Sequence, residues 1–258
     1  MLDTLLVHPI LNILALFYKL TSNLGISIIL LTLFIKVILI PFVIPTYKNM
    51  KKQKDIKPEL DKLKEKYKND KQKFAEEQLK LFKQHGINPA SGCVSQLAMI
   101  FVLIGLYQVV QKFSATTLLS NLNPIIYFDF LKFAEGLKIQ TSFLFLDMAH
   151  PDTTYILPIL SGVVTLVSSA MLLPELTEAE KAAKKASTDM EDMAYNMQQQ
   201  MVILAPVMTF IVSISLPSAL TLYIFVSTLF GIVQQYYMLG GWGGLLQYTN
   251  LIKKKLKK

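Results

Sequence analysis

The sequence predicts an all-α polytopic membrane protein: a five-transmembrane-helix core with a cytoplasmic helical hairpin and an N-terminal interfacial helix. Three observations carry this. The composition is 52% hydrophobic with only 17% charged residues, at a mean hydropathy of +0.42, whereas ordinary soluble domains carry about 25% charge. Five runs near twenty residues long contain neither Asp nor Glu. One block, 48–86, concentrates thirteen of the 26 lysines. All basic residues are lysine, so little chemistry attaches to any single Lys-for-Arg choice. The lone Cys93 has no partner for an intramolecular disulfide and reads as a small apolar side chain.

Residues 1–22 are apolar but short. Met1-Leu2-Asp3 lacks the basic region of a signal peptide, and His8, Pro9, Asn12 and Lys19 break the run. An interfacial amphipathic helix is favoured over a spanning one. The first span, 23–47, holds one charge. Lys36 has twelve residues of the apolar run before it and eleven after it, which puts it near the membrane midplane. A lysine there costs about 2.5–3.5 kcal/mol on insertion scales, and its stem is too short to snorkel fully to an interface. It needs either an acidic partner on another span or a hydrated cavity. No other span contains an acid, which favours the cavity. Pro41 frees the carbonyl of Val37 and is expected to bend the helix.

The block 48–86 carries thirteen lysines and seven acids. Ile56, Leu60, Leu63 and Tyr67, then Phe74, Leu81 and Phe82, recur at helical spacing, and Asn69-Asp70 reads as a turn. An antiparallel helical hairpin with a thin apolar seam is expected, ending at Gly86 before Asn88-Pro89. The second span covers 93–111, with Gln96 near its start. An extracytoplasmic loop follows over 112–153, where Asn123-Pro124 could cap a short surface helix. The third span, 155–174, puts Ser161, Thr165, Ser168 and Ser169 on one face. A polar loop covers 175–196. The fourth span is 197–216 and the fifth 219–239, joined by a Pro217-Ser218 turn. A basic tail, 240–258, ends in five lysines. With five spans, 21 lysines fall on one side and four (Lys19, Lys112, Lys132, Lys138) on the other. The rich side is expected to be cytoplasmic, with the N-terminus outside and the C-terminus inside a cell membrane.

Several chemistries are absent from the sequence. His8, His85 and His150 all lie outside the spans, and no His, Cys or carboxylate cluster has metal-ligand spacing. There is no glycine-rich phosphate loop, and no nucleophile motif of an intramembrane protease. Neither an enzyme nor a cofactor is expected.

Several stretches match a known family in order and spacing across about residues 20–240. They are Gly25-Ile26-Ser27-Ile28-Ile29 with the cation at 36 and Pro41; Asn88-Pro89 with Gly92-Cys93; Tyr155-Ile156-Leu157-Pro158-Ile159-Leu160; Met197-Gln198-Gln199-Gln200; and Leu216-Pro217-Ser218-Ala219-Leu220-Thr221-Leu222-Tyr223 with Val226-Ser227 and Gln234-Gln235. The chain resembles the YidC-type membrane protein insertases, relatives of the mitochondrial oxidase-assembly and chloroplast Albino proteins. The nearest likeness is the simpler core form without a large outer domain. The resemblance implies a five-helix core around a hydrophilic groove, open to cytoplasm and lipid and closed toward the outside. It implies that Lys36 occupies the position of the family's groove-hydrating basic residue, and that Thr32 and Tyr223 line the substrate path. The family usually has arginine where Lys36 stands, often paired glutamines at Ser168-Ser169, and often an aromatic at Ile224, so a less polar groove is expected here. The candidate groove set is Lys36, Thr32, Gln96, Thr165, Ser168, Ser169 and Tyr223.

The function expected on this basis is insertion and chaperoning of membrane proteins. Short polar segments of nascent chains would pass through the groove and their apolar helices would be released into the bilayer. The expected partners are nascent membrane proteins, with the ribosome, the general secretion translocon and anionic lipids as further candidates, and no specific nucleic acid sequence. One alternative is a small secondary transporter using Lys36 as an anion site, although the two halves of the chain show no repeat. Another is an assembly chaperone that folds inserted proteins without inserting them.

Overall fold

A computed structural model of the chain describes residues 3–67, 70–88, 91–114, 118–173, 191–246 and 249. Within these, the side chains of 64, 71, 91–96, 98, 114, 191–199 and 201 lie outside the description. The molecule is an α-helical bundle with a helical hairpin at one end and a folded loop at the other.

A π-turn over Asp3–Val7 leads into α1 (His8–Thr21). Ser22 takes a left-handed conformation (φ 52°), and Asn23 then caps α2 (Leu24–Asp55), its side chain accepting from the Ile26 N–H at 3.1 Å. The Ser27 hydroxyl donates back to the Asn23 carbonyl at 2.6 Å, so the α1–α2 corner is fixed by its own polar residues. At ~1.5 Å per residue α2 is about 48 Å long, well beyond a hydrocarbon core of roughly 30 Å. The expected boundary at Lys48 is therefore not a break. Residues 48–55 extend the span helix rather than opening the hairpin, because nothing there opposes a helix. The first obstacle is Pro58, which has no N–H to give and whose ring excludes the Lys54 carbonyl. The chain turns at Ile56 and restarts as α3 (Lys57–Lys66) with proline in its first turn.

Asp70 caps α4 (Lys71–Gln84) by accepting from the Lys73 N–H at 3.0 Å. Ile56, Leu81 and Ile87 form a small core of their own, with Leu60 and Phe82 against it and separate from the main core. Lys52 Nζ on α2 donates to the His85 and Gly86 carbonyls at 3.2 and 3.3 Å, tying the end of α4 to the extended span.

The remaining long helices are α5 (Ser91–Ser114), α6 (Ile156–Met171), α7 (Glu191–Ser215) and α8 (Ser218–Leu239). Three helical stretches are apolar and long enough to cross a membrane: Asp3–Thr21, Leu24–Asp55 and Ser218–Leu239. Met99–Phe113, Ile156–Met171 and Val202–Ser215 are shorter apolar helices. α6 has 16 residues against the twenty expected over 155–174, while α7 begins inside the segment read as a loop. The rest of that segment, 175–190, and the tail lysines at 253–258 lie outside the described residues. α6 packs between α7 and α8, and α2 packs against α8 and α1. Exposed apolar residues ring the bundle: Phe34, Val37 and Phe42 on α2, Phe101 on α5, Ile159 and Val163 on α6, and Ile203, Val207 and Ile211 on α7. A continuous apolar belt of this kind suits lipid rather than water.

α5 runs on to Ser114, past the expected start of the loop at 112, and residues 118–153 form a folded plug. It contains 3₁₀ turns at Leu119–Ile125 and Asp129–Leu131, and a minimal hairpin of β1 (Ser142–Phe143) and β2 (Leu146–Asp147). Asn123-Pro124 close the first 3₁₀ turn rather than start a helix. The Asn123 amide instead brackets Phe133, donating to its carbonyl at 2.9 Å and accepting from its N–H at 2.8 Å. α1 holds the plug through the residues that break its apolar run. Asn12 donates to the Ile125 carbonyl at 3.0 Å and accepts from the Tyr127 N–H at 2.7 Å. Lys19 Nζ donates to the Phe130 carbonyl at 2.7 Å, and the Tyr18 hydroxyl accepts from the Gln140 N–H at 2.9 Å. By length and hydropathy Asp3–Thr21 could cross a membrane, yet Asn12, Tyr18 and Lys19 within it bond the plug. The plug also caps α8: the N–H groups of Ser218 and Ala219 donate to the His150 and Met148 carbonyls at 2.8 and 3.1 Å.

Candidate functional site

The bundle is solid at the plug end and hollow toward the hairpin end. Leu24, Ile28 and Leu31 of α2, Leu157 and Ser161 of α6, and Ala219, Leu220 and Thr221 of α8 are all buried at the plug end. Beyond them a cavity of about 440 Å³ opens between α2, α5, α6, α7 and α8. Lys36 lies where the solid part stops. From α2 the lining is Lys36, Val43, Thr46, Tyr47 and Met50. Steps of seven, ten, eleven and fourteen residues from Lys36 return to nearly the same helical face, so one helix carries the wall for about 21 Å. On α8 the wall is Tyr223, Ser227, Gly231 and Gln234, at steps of four, four and three, with Gln235 beside them. α6 contributes Thr165, Ser168 and Leu172, α7 contributes Thr209, and α5 contributes Met99, Ile100 and Leu103.

Among the described residues, Lys36 is the only charged residue in that lining. It is 6% exposed. Its nearest polar contact is the Met99 sulfur, 3.8 Å from Nζ, a weak acceptor that neutralises nothing. Among the described residues no carboxylate lies within ion-pair distance of it. A buried ammonium left in this state needs water or an incoming anion in the cavity. Across the cavity, Gln235 Nε2 donates to the Ser168 hydroxyl at 2.8 Å. Thr165 donates to the Ser161 carbonyl at 2.8 Å, and Thr228 to the Ile224 carbonyl at 2.8 Å. The Thr165 and Thr228 hydroxyls have spent their protons on their own helices and can still accept, so the wall offers hydrogen-bond acceptors to a passing polar chain.

Of the residues proposed from sequence, Lys36, Thr165, Ser168 and Tyr223 meet around this one cavity. Thr32 does not line it. Thr32 is fully buried one turn before Lys36, its hydroxyl spent on the Ile28 carbonyl at 2.6 Å. Ser169 is partly buried and absent from the lining among the described residues. Gln96 lies on α5 in a stretch whose side chains lie outside the description. Sequence reasoning missed Tyr47, Thr46, Thr209, Gln234 and Gln235 as lining residues. The signal for the glutamines was present as a stripe of Tyr223, Ser227 and Gln234 at helical spacing. Tyr47 was taken as the end of a span, and only the unbroken run of α2 reveals it as a wall. Among the described residues, no group of three or more His, Cys, Asp or Glu is placed to hold a metal ion.

Comparison with known proteins agrees with this architecture. The family model described as 60Kd inner membrane protein matches residues 16–241. The membrane protein insertase YidC of Clostridium perfringens is 34% identical over 214 residues, covering 83% of this chain and 77% of that protein. The Fusobacterium nucleatum protein of the same name is 31% identical over 221 residues, covering 86% and 88%. The membrane protein insertase MisCA of Bacillus subtilis is 31% identical over 248 residues, covering 92% and 79%. Among solved structures, an active YidC insertase with its first transmembrane domain resolved superposes with a TM-score of 0.55 at 22% identity. That alignment covers 86% of this chain but only 43% of the other, and it speaks to the fold alone. Matched over most of its length by the family model and by relatives above 30% identity, this membrane chain belongs to the 60Kd inner membrane protein family.

Proposed function

We propose that the chain is a membrane protein insertase whose working site is the Lys36 cavity. One observation carries this reading. A cavity with one buried cation at its closed end, and with hydroxyls and amides among its lining, sits inside a bundle belted by apolar residues. Such a cavity holds water partway through the bilayer and shortens the barrier for a polar segment. The relatives named as insertases support the same reading.

A nascent membrane protein presents a short polar segment at the hairpin end, which is the cytoplasmic side if the lysine-rich segments lie inside. The segment enters the cavity, where Lys36 attracts its acidic groups and Thr165, Ser168 and Tyr223 give it hydrogen-bond partners. Its apolar helix slides along α6 and α8 into lipid. Burial of apolar surface, at about 25 cal/mol per Å², supplies the driving force, aided for acidic segments by the membrane potential. No covalent step is involved. The ribosome, the translocon and anionic lipids are partners that the basic hairpin and tail would suit by charge.

Reconstitution of the purified chain in liposomes with a single-span substrate tests this. Protease-protected substrate is the expected result. Solute flux that depends on Lys36 without any substrate insertion would overturn it in favour of a transporter. Folding of pre-inserted substrate without insertion would overturn it in favour of an assembly chaperone.

A further inference from the structure

At the opposite end of the molecule, a second cavity of about 460 Å³ lies between the end of α1 and the plug. Three of the four lysines at that end line it: Lys19, Lys132 and Lys138. Lys132 is already paired with Asp129 at 2.6 Å. Lys19 packs 5.8 Å from the Phe133 ring and, like Lys138, faces no carboxylate within ion-pair distance among the described residues. The Tyr18 hydroxyl accepts from the Gln140 N–H, which leaves its own proton free to donate. The cavity therefore holds two uncompensated cations and a hydroxyl donor.

Its rim is apolar. Leu137 lines the cavity and is 48% exposed, and Phe130, whose carbonyl accepts from Lys19, is 69% exposed. A cationic pocket bordered by an exposed aliphatic and aromatic rim fits an amphiphile with an anionic head. A free anion or a polar peptide would leave that rim in water. We propose that this pocket binds the phosphate headgroup of an anionic phospholipid, with Lys19 and Lys138 as its charge partners and the acyl chains lying along Phe130 and Leu137. Basic pockets beside membrane helices recognise such headgroups through charge and donor geometry together. This site is separate from the Lys36 cavity and stands whether or not that cavity inserts proteins.

The test titrates the full-length protein in neutral detergent with phosphatidylglycerol or phosphatidylcholine, reading bound lipid by native mass spectrometry. Phosphatidylglycerol should bind in preference. Lys19→Gln with Lys138→Gln should weaken it about 30-fold, from a contribution of about fivefold per lysine near a membrane surface. Lys138→Gln alone should weaken it about fivefold, and it breaks no hydrogen bond within the protein. Lys112→Gln, outside the pocket, should leave binding unchanged. Equal binding by the double variant and the wild type would overturn the proposal, as would equal binding of the two lipids. Saturable binding of inorganic phosphate that phosphatidylglycerol does not displace would assign the pocket to a free anion and overturn it as well.

Discussion

Gln235 on α8 donates to the hydroxyl of Ser168 on α6 across the mouth of the Lys36 cavity, at 2.8 Å. The two residues are 67 positions apart, so the bond is a tertiary tie between the two helices that an apolar substrate would slide along. Hydrogen bonds between helices in membranes contribute about 0.6 kcal/mol, with ~1.7 as an upper value. Gln235→Ala and Ser168→Ala should each lower stability by about that amount. The double variant should cost no more than one single variant. Thermal unfolding of all four proteins in one detergent checks this; additive losses would mean that the bond contributes nothing.

Lys36 should act through charge and hydration rather than through a shaped fork, since the cavity offers it no planar partner. Lys36→Arg should keep most insertion activity. Lys36→Ala should slow substrates with acidic segments most, and Lys36→Glu should slow them further by repulsion. Matched acidic and neutral substrates in liposomes read this out. Equal insertion of the acidic substrate by wild type and Lys36→Ala would remove the proposed role.

Gly25 lies where a side chain would run into Cβ and the ring of Phe143 on β1. Alanine is the better helix former by about 1 kcal/mol, but overpacking a buried contact costs about 1–3 kcal/mol. The steric term wins because Phe143 is held by its strand pairing with Leu146. Gly25→Ala should therefore destabilise the protein. In a Phe143→Gly background, which removes both the ring and Cβ, the same change should become neutral or stabilising. Denaturation midpoints of the four proteins decide it.

Asp152 is buried at the start of α6. It accepts from the Leu157 N–H at 2.9 Å, the Thr154 N–H at 2.8 Å and the Thr154 hydroxyl at 2.6 Å. Burial pushes its carboxyl up, but these donors outweigh burial and hold it below the usual carboxylate range. A depressed folded value gives stability that is present above the unfolded value of about 3.9 and lost as pH falls through the folded value. The plug end should thus show no Asp152-dependent change between about pH 5 and 8 and should weaken only in stronger acid. Asp152→Ala should cost about 0.5–2 kcal/mol at neutral pH and flatten the acid limb. Hydrogen exchange at residues 155–160 across pH measures both.

Hydropathy made most of the helices legible, because a chain in lipid must satisfy its backbone within each segment. Lys36 was legible for the same reason: a lone charge in such a run demands an explanation. The hairpin seam was legible because Ile56 and Leu60, and on the other helix Phe74 and Leu81, recur at helical spacing. Asn12 and Lys19 were read as mere interruptions, and Tyr18 was passed over. Their partners, Ile125, Gln140 and Phe130, lie more than a hundred residues away, and local periodicity carries no record of such pairings. Thr32 was drawn into the groove set by resemblance, while its hydroxyl closes on its own helix. Gln235 was visible in a motif but not as a wall, since its role depends on which face of α6 it meets.

The continuity of α2 has a mechanical meaning. It runs without interruption from the cap at Asn23, past Lys36, to Asp55, and Lys52 grips the end of α4. It is therefore a shaft joining the hairpin to the floor of the cavity. Pro41 and Pro45 each remove one backbone hydrogen bond from it, leaving the Val37 and Pro41 carbonyls unpaired within the helix. The shaft is stiff at both ends and compliant in one short stretch just beyond Lys36. A torque applied at the hairpin, for instance by anything that docks on its lysines, is delivered to that stretch. Val43 and Tyr47 of the cavity wall lie in or beyond that stretch, and the buried Lys36 lies before it.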